Sequence, residues 1–215
     1  MSKRLNVLSI ITSKKNKEIQ SIVTKIRSDC IQVIREKLSD PMKQYSLIQK
    51  LLKKNECKLF LTITNGFFSF GRSFNDEILD LLKFKIINSK STFKNVVSAE
   101  LNMKYYIFIQ NIADDRICNL IIDVFNMKSS KVCLKNIKYC WIFSCIDSKY
   151  IFKYCRILSN DEIEDIGPYF ELELVDKYYC SDELYKKSFG EINEIGTLHI
   201  DKQDLREIKT RKYRK

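Results

Sequence analysis

Apolar residues in the first quarter of the chain follow two different spacings. Residues 5–11 alternate loosely between apolar and polar positions and predict a short strand. Over 16–38 the apolar residues recur every three or four positions, which predicts one amphipathic helix or two in succession. Pro41 ends this helix because its ring restricts the preceding residue and removes a backbone donor. A second helix is predicted over 43–54.

The rest of the chain is predicted as hairpins separated by helices. A β-rich run over 57–64 is closed by Asn65-Gly66, a dipeptide that favours positive φ, so a hairpin into 67–70 is predicted. Over 73–82 a helix is predicted, with Ser73 or Asn75 as its N-cap. The remaining predicted elements are strands at 95–101, 104–110, 137–146, 150–158 and 169–175, and helices at 114–127 and 181–188. This order predicts one α/β body followed by a C-terminal arm.

Positive charge is concentrated at the two ends of the 215 residues. Residues 1–54 carry 13 Lys/Arg against 4 Asp/Glu, and residues 201–215 carry 7 against 3. Residues 55–200 carry 18 against 20 and are therefore close to neutral. Basic ends on a near-neutral body are typical of a protein that docks on a polyanion. A net charge of +11 also favours solubility by itself, so charge alone leaves both interpretations open.

The chain lacks the residue patterns of common enzymes and metal sites. Its single histidine is His199, and it contains no nucleophile motif and no glycine-rich phosphate loop. The eight cysteines form no CxxC pair, which disfavours zinc, and without a secretory signal they indicate a reducing intracellular compartment. No run approaches the roughly 20 apolar residues of a membrane-spanning helix. We therefore expect no metal, no cofactor, no small-molecule substrate and no membrane partner.

Two acidic clusters are the candidates for acid–base chemistry. One is Asp114-Asp115, at the predicted start of a helix, and the other lies within 161–165, beside a turn before Gly167-Pro168. Carboxylates at a helix N-terminus usually cap it, and those near a turn are usually solvated. Capping and solvated-loop roles are therefore predicted, and the protein is not expected to be an enzyme. An RNA-modifying or nuclease activity built on these acids remains an alternative.

Aromatic and basic residues are interleaved in two places. Arg72 lies among phenylalanines over 67–74, where aromatic rings could stack on RNA bases but more often form a core. Arg72 is kept as a candidate RNA contact. The segment 209–215 carries five basic residues and no acid, which favours phosphate contact over a merely solvated tail.

Four stretches, in the same order along the chain, resemble the Brix-domain family of ribosome-assembly factors, and within it the ribosome production factors. They are Lys54-Asn-Glu-Cys-Lys-Leu59, Asp165-Ile-Gly-Pro168, Ser181-Asp-Glu-Leu-Tyr-Lys186 and His199-Ile-Asp-Lys-Gln-Asp-Leu-Arg-Glu-Ile-Lys-Thr-Arg-Lys212. The resemblance covers nearly the whole chain and is sharpest after residue 160. One departure is the Asn65-Gly66 connection, which carries no charge where the family has a basic loop.

The resemblance implies a fold and a division of the chain. The implied fold is a Brix domain of two similar α/β halves, related to the anticodon-binding fold of class II tRNA synthetases, with a basic C-terminal arm. Residues 1–180 would form the Brix domain. Residues 181–215 would form the C-terminal helix and the RNA-binding arm.

The resemblance also implies a function and partners. The protein would act in the nucleolus of the nucleus, in assembly of the large (60S) subunit, and would recruit the 5S ribonucleoprotein into the pre-60S particle. Implied partners are 5S rRNA, pre-rRNA, the regulator of ribosome synthesis protein as a heterodimer, and the ribosomal proteins of the 5S particle. The expected RNA-binding residues are Lys202, Gln203, Arg206, Lys209, Arg211, Lys212, Arg214, Lys215 and Arg72. Alternatives are a Brix protein acting on another pre-rRNA region and an adaptor without RNA contact.

Overall fold

One mixed sheet organises the molecule. The computed structural model describes residues 6–12, 17–26, 31–91, 105–125, 138–158 and 162–191. Within these ranges the strands are β1 (Val7–Ile11), β2 (Ile31–Arg35), β3 (Leu59–Thr64), β4 (Phe67–Phe74), β5 (Glu77–Lys90), β6 (Tyr106–Gln110), β7 (Tyr139–Ile146), β8 (Lys149–Ile157) and β9 (Ile163–Tyr179). The helices are α1 (Lys17–Ile26), α2 (Tyr45–Lys54), α3 (Asp115–Phe125) and α4 (Asp182–Glu191). The nine described strands lie in the order β2-β1-β3-β4-β5-β9-β8-β7-β6.

The sheet consists of two similar halves. In the first half β1 pairs in parallel with β3, and β3, β4 and β5 follow as an antiparallel meander. In the second half β6 pairs in parallel with β7, and β7, β8 and β9 repeat the meander. The last strands of the two halves, β5 and β9, pair antiparallel and join them. The predicted α/β class is therefore confirmed, whereas the tie to the synthetase fold stays a prediction.

Most predicted elements after residue 40 are present. The helices predicted at 43–54, 114–127 and 181–188 are found as α2, α3 and α4. The predicted strands correspond to β3, β6, β7, β8 and β9, although β9 begins six residues earlier, at Ile163. The strand predicted at 95–101 lies outside the described residues.

Two predicted helices are partly or wholly wrong. The helix predicted over 16–38 ends as α1 at Ile26, and residues 31–35 form edge strand β2, parallel to β1. The helix predicted over 73–82 does not exist, because Asn75 and Asp76, with φ of 49° and 65°, form the turn of the β4–β5 hairpin. Residues 78–82 of β5 are all buried, and four of the five are apolar, with Asp80 between them. The run therefore lacks the alternation that would distinguish a strand from a helix.

Hydrophobic cores lie on both faces of the sheet. The larger core packs α1 and α3 against one face and is rich in aromatic rings, including Phe68, Phe152 and Trp141. A smaller core packs α2 against the other face of the first half, through Ile48 and Leu52. Aromatic side chains over 67–74 therefore serve mainly as core, as alternating strand aromatics usually do.

Candidate nucleic-acid interface

The expected RNA-binding arm follows α4 in the chain. α4 ends at Glu191, and residues 192–215 lie outside the described residues. The candidate contacts Lys202, Gln203, Arg206, Lys209, Arg211, Lys212, Arg214 and Lys215 all fall in that segment. Their assignment to RNA therefore stays a prediction. The structure describes only α4, the helix that precedes this segment in the chain.

Arg72 is not available to RNA in this fold. Its side chain lies on β4 beneath α4, and the residue is only 5% exposed. Its Nε donates to Asp80 Oδ2 at 2.6 Å, and its Nη1 donates to Asp123 Oδ2 at 2.6 Å. A guanidinium that is desolvated and bonded to two carboxylates cannot also reach a phosphate in solvent. The expectation that Arg72 contacts RNA is thus wrong, and its role is internal.

A second arginine shares one of these carboxylates. Arg116, near the start of α3, donates from Nη2 to Asp80 Oδ1 at 2.7 Å and from Nε to the same oxygen at 3.1 Å. Its guanidinium carbon lies 4.3 Å from the ring centroid of Tyr179 and 3.9 Å from that of Tyr185. Each Asp80 oxygen therefore serves one arginine, and Arg116 contacts two aromatic rings by cation–π interaction.

These six residues, Arg72, Asp80, Arg116, Asp123, Tyr179 and Tyr185, form a cluster that we call the clasp. The clasp joins β4 and β5 of the first half to α3 and β9 of the second half and to α4. Its two arginines and two aspartates balance in charge. Because both carboxylates are almost fully buried, with side-chain exposures of 0% and 2%, the arginines are required to compensate them.

The electrostatics of the clasp favour charged arginines. Burial by itself would lower the pKa of the Arg72 guanidinium, but Asp80 and Asp123 raise it above its ordinary value. Burial would likewise lower the pKa of the Arg116 guanidinium, but Asp80 raises it above its ordinary value. Both guanidiniums are therefore held in their protonated form, which is the form that compensates the buried carboxylates.

The clasp holds α4 in place together with a small apolar contact. Leu184 and Tyr185 pack against a cluster formed by Phe74, Leu79 and Cys180. The backbone N–H of Cys180 donates to the Leu79 carbonyl at 2.8 Å, so α4 begins where β9 leaves the sheet. The origin of the C-terminal arm is thereby set by the body of the protein.

The acidic cluster at the start of α3 has a capping role, as predicted. Asp114 Oδ1 accepts hydrogen bonds from the backbone N–H groups of Arg116 at 3.0 Å and Ile117 at 3.4 Å. Its Oδ2 accepts from the Tyr179 hydroxyl at 2.8 Å and from Lys177 Nζ at 3.2 Å. Burial alone would raise the pKa of the Asp114 carboxyl, but these bonds outweigh it and hold the pKa below its usual range.

The second acidic cluster lies partly in a strand and is paired. Glu164 and Asp165 belong to β9 rather than to a solvated loop, which corrects the prediction for these two residues. Glu164 pairs with Arg156 at 2.6 Å, and Asp165 pairs with Lys153 at 2.9 Å. Among the described residues no group of three or more His, Cys, Asp and Glu could hold a metal ion.

The described cysteines are free thiols, and four of them, Cys57, Cys140, Cys155 and Cys180, are buried. Burial raises the pKa of Cys57 to about 11, so this thiol stays protonated and behaves as a small apolar side chain. None of the helices in the described ranges is long and apolar enough to cross a membrane.

Sequence reasoning missed most of the clasp. Asp80 is 8 residues from Arg72 in the chain, Asp123 is 51 residues away and Tyr185 is 113 residues away. No local spacing links such residues, so no motif marked them. The available signals were Arg72, the only charged residue of β4, and Asp80, an acid between apolar residues of β5, since charged residues in such runs are rarely buried unless paired.

Comparison with known proteins agrees with the resemblance in the sequence. No family model matches the chain. A protein named ribosome production factor 2 homolog from Homo sapiens is 25% identical over 175 residues, covering 72% of this chain and 57% of that protein. Proteins of the same name from Bos taurus and Mus musculus are each 24% identical over the same shares. The match thus spans little more than half the length of these relatives.

Comparison with solved structures also gives a match, at very low sequence identity. It is described as the crystal structure of a probable ribosomal biogenesis protein from Aeropyrum pernix K1, with a TM-score of 0.47 and 7% identity. The superposition covers 80% of this chain and all of that one. On the basis of the sequence matches, the chain is similar to the ribosome production factor 2 homologues, which confirms the resemblance carried by its motifs.

Proposed function

We propose that the protein is a non-enzymatic assembly factor of the large ribosomal subunit that binds rRNA and protein partners. The observation that carries this proposal is its similarity to proteins named ribosome production factor 2 homolog. The segregation of positive charge to the chain ends supports an RNA partner. The acids that were the candidates for acid–base chemistry have other roles where they are described, since Asp114 caps α3 and Glu164 and Asp165 form ion pairs.

The mechanism that we propose is positioning. A sheet of this size, joined in its middle by β5 and β9, forms a rigid platform that holds partners in a fixed relation. Cationic segments at the chain ends neutralise rRNA phosphates and release counterions. In this proposal the protein works in the nucleolus with the regulator of ribosome synthesis protein and brings the 5S ribonucleoprotein to the pre-60S particle.

A protein partner could bind at an edge of the sheet. Among the described strands β2 and β6 are the outermost, and each has a neighbour on one side only. Each also exposes an apolar residue, with Val33 50% exposed on β2 and Phe108 42% exposed on β6. An added strand would gain affinity from main-chain hydrogen bonds and selectivity from contacts with such side chains. These edges are our candidates for the heterodimer contact.

The RNA-binding role of the arm is tested by neutralising two of its charges. Substituting Arg211→Gln together with Lys212→Gln should weaken RNA binding and reduce the slope of log K against log salt by about 1.4 for single-stranded RNA. The matched control is Lys149→Gln with Lys153→Gln, which removes the same charge from residues already paired with Glu171 and Asp165. An unchanged slope in the arm variant would refute the arm assignment.

Co-purification distinguishes the proposed partner RNA from other RNAs. If the protein is isolated from cells with 5S rRNA, recruitment of the 5S particle is supported. Enrichment of another pre-rRNA region would instead favour a Brix-type factor with a different target. Failure of the purified protein to bind RNA even at low salt would favour an adaptor that contacts only proteins.

A further inference from the structure

The solvent face of α2 is basic. α2 carries Lys50, Lys53 and Lys54, which are all exposed, and contains no acidic residue. Its three buried residues pack into the smaller core, and at about 100° per residue the lysines lie on the opposite side of the helix. Residues 31–58, which include α2, carry seven Lys/Arg against three Asp/Glu. Part of the positive charge of the N-terminal quarter is therefore displayed on the folded body.

These lysines are less compensated than cations on the second half of the sheet. On β8, for example, Lys149 Nζ lies 2.8 Å from a carboxylate oxygen of β9. Within the described ranges, Lys50 and Lys54 form no ion pair. Lys53 pairs with Asp76 in the β4–β5 turn, but both side chains are more than half exposed. An exposed pair of this kind contributes little to stability, so Lys53 is also available to a phosphate.

Two exposed tyrosines lie beside the N-terminal end of α2. Tyr45, the first residue of α2, and Tyr178, near the end of β9, are 53% and 48% exposed. Their rings are parallel to within 8°, and the ring centroids lie 6.3 Å apart. The two rings thus hold each other in one orientation while about half of each stays in solvent. Flat aromatic surfaces of this kind are where unpaired RNA bases stack.

The tyrosine pair and the lysines lie along one helix. From Tyr45 to Lys53 α2 rises roughly 12 Å and turns by about 80° relative to a whole number of turns, so both side chains border the same solvent-facing side. Charges next to the rings are mixed, since Lys43 and Asp176 each precede one of the two tyrosines by two residues. The rings therefore offer stacking, and the lysines further along α2 offer positive charge.

We propose that this surface binds single-stranded RNA. We call it the α2 surface and define it by Tyr45, Tyr178, Lys50, Lys53 and Lys54. One base stacks on the tyrosine pair, and the neighbouring phosphates contact the lysines. An acidic protein segment would use the lysines but has no need of paired flat rings, whereas unstacked bases do. The inference rests on the proposed RNA-binding function and adds a contact on the body, separate from the C-terminal arm.

The role of the rings is tested with two probes, an oligouridylate of about 12 nucleotides and an RNA duplex of the same length. Tyr45→Leu with Tyr178→Leu removes both rings, whereas Tyr45→Phe with Tyr178→Phe keeps them. The leucine variant should bind the single strand on the order of tenfold more weakly and the duplex as tightly as wild type, because duplex bases are not free to stack. The phenylalanine variant should bind both probes like wild type.

Folding and direct contact are checked separately. Both tyrosines are about half exposed, so the leucine variant should fold, and its melting temperature measures this. An oligouridylate that carries photoreactive iodouridine should crosslink to Tyr45 or Tyr178 in the wild-type protein. Mass spectrometry of the crosslinked peptides identifies the residue. Crosslinks that occur only outside the α2 surface would contradict the proposal.

The role of the lysines is tested by neutralising the two without a described partner. Lys50→Gln with Lys54→Gln should reduce the slope of log K against log salt by about 1.4 for single-stranded RNA and should also weaken binding of the duplex. The matched control is again Lys149→Gln with Lys153→Gln, which removes the same charge from residues that are already paired. An equal change of slope in this control would show that only net charge matters and would overturn the inference.

The outcomes separate this inference from the proposed function. If the wild-type protein binds neither probe even at low salt, the RNA-binding function fails and the inference fails with it. If Arg211→Gln with Lys212→Gln weakens binding but the leucine variant does not, the arm binds RNA and the α2 surface is not a stacking site. If the lysine variant alone weakens binding, the surface fits an acidic protein partner instead. A leucine variant that loses affinity equally for strand and duplex would also overturn stacking.

Discussion

Arg72 offers the most direct test of the clasp as a link between the two halves in addition to the β5–β9 pairing. We expect Arg72→Met to destabilise the protein strongly, because it leaves the buried Asp80 and Asp123 without one of their charge partners. Methionine retains much of the volume of the arginine stem, so the cavity contribution to the loss is small. The change therefore isolates the ionic contribution from the packing contribution.

The magnitude follows from the burial of the three groups. Arg72 is 5% exposed, and the side chains of Asp80 and Asp123 are 0% and 2% exposed. Removing one partner from a buried ion pair costs about 3–5 kcal/mol. For a chain of this length, that loss corresponds to a decrease in the melting temperature of roughly 6–20 °C. Asp80 keeps its hydrogen bond from Arg116 in this variant, so its charge remains partly compensated. We therefore expect a decrease in the lower half of this temperature range.

The assay is chemical denaturation at low temperature, where the variant remains folded, followed by a thermal scan. The matched control is Lys53→Met, which removes a lysine from the exposed pair with Asp76, whose side chains are 69% and 57% exposed. An exposed pair of this kind contributes about 0–1 kcal/mol. If Arg72→Met costs no more than Lys53→Met, the two halves are not joined by the clasp and our reasoning about its electrostatics is refuted.

Two further predictions concern a close backbone contact and pH. Gly71→Ala should reduce the free energy of unfolding by about 3 kcal/mol, because its new Cβ would meet the Asp80 carbonyl oxygen and lie 2.7 Å from the Phe60 ring. The control is Gly66→Ala in the open hairpin turn, where only the positive φ opposes a side chain and the loss should be about 1 kcal/mol. Equal losses in chemical denaturation would contradict the close contact at Gly71. Asp114→Asn should reduce the free energy of unfolding by about 1–2 kcal/mol at pH 6. The folded-state pKa of Asp114 lies below its ordinary value of 3.8, so the stabilisation by its carboxylate is present above pH 3.8 and is lost as the pH falls below it. The free energies of unfolding of the variant and the wild type should therefore converge at low pH. A difference that stays constant with pH would show that the charge of Asp114 does not contribute.

Local turn chemistry was predictable from the sequence, but strand and helix were not always separable. Asn65-Gly66 adopts positive φ at both residues, 47° and 80°, as the dipeptide requires, and the hairpin forms where predicted. Asn75-Asp76 makes a turn with the same signs of φ, yet Asp76 and the following Glu77 also fit the first turn of a helix. The strand is held by β4 on one side and by β9 on the other, and the residues of β9 lie 79 to 99 positions further along the chain than their β5 partners, as for Lys90 with Tyr169 and Asp80 with Tyr179.

The sequence alone determined three features: the class of the fold, the position of most elements, and the division of charge between the body and the ends. These features depend only on composition and local spacing. The partners of Arg72 and the docking of α4 were decided only by the tertiary structure. The physical reason is that a buried charge selects its partner by proximity in space. Asp123 and Tyr185, 51 and 113 positions from Arg72, become its neighbours only when α3 and α4 have packed against β4.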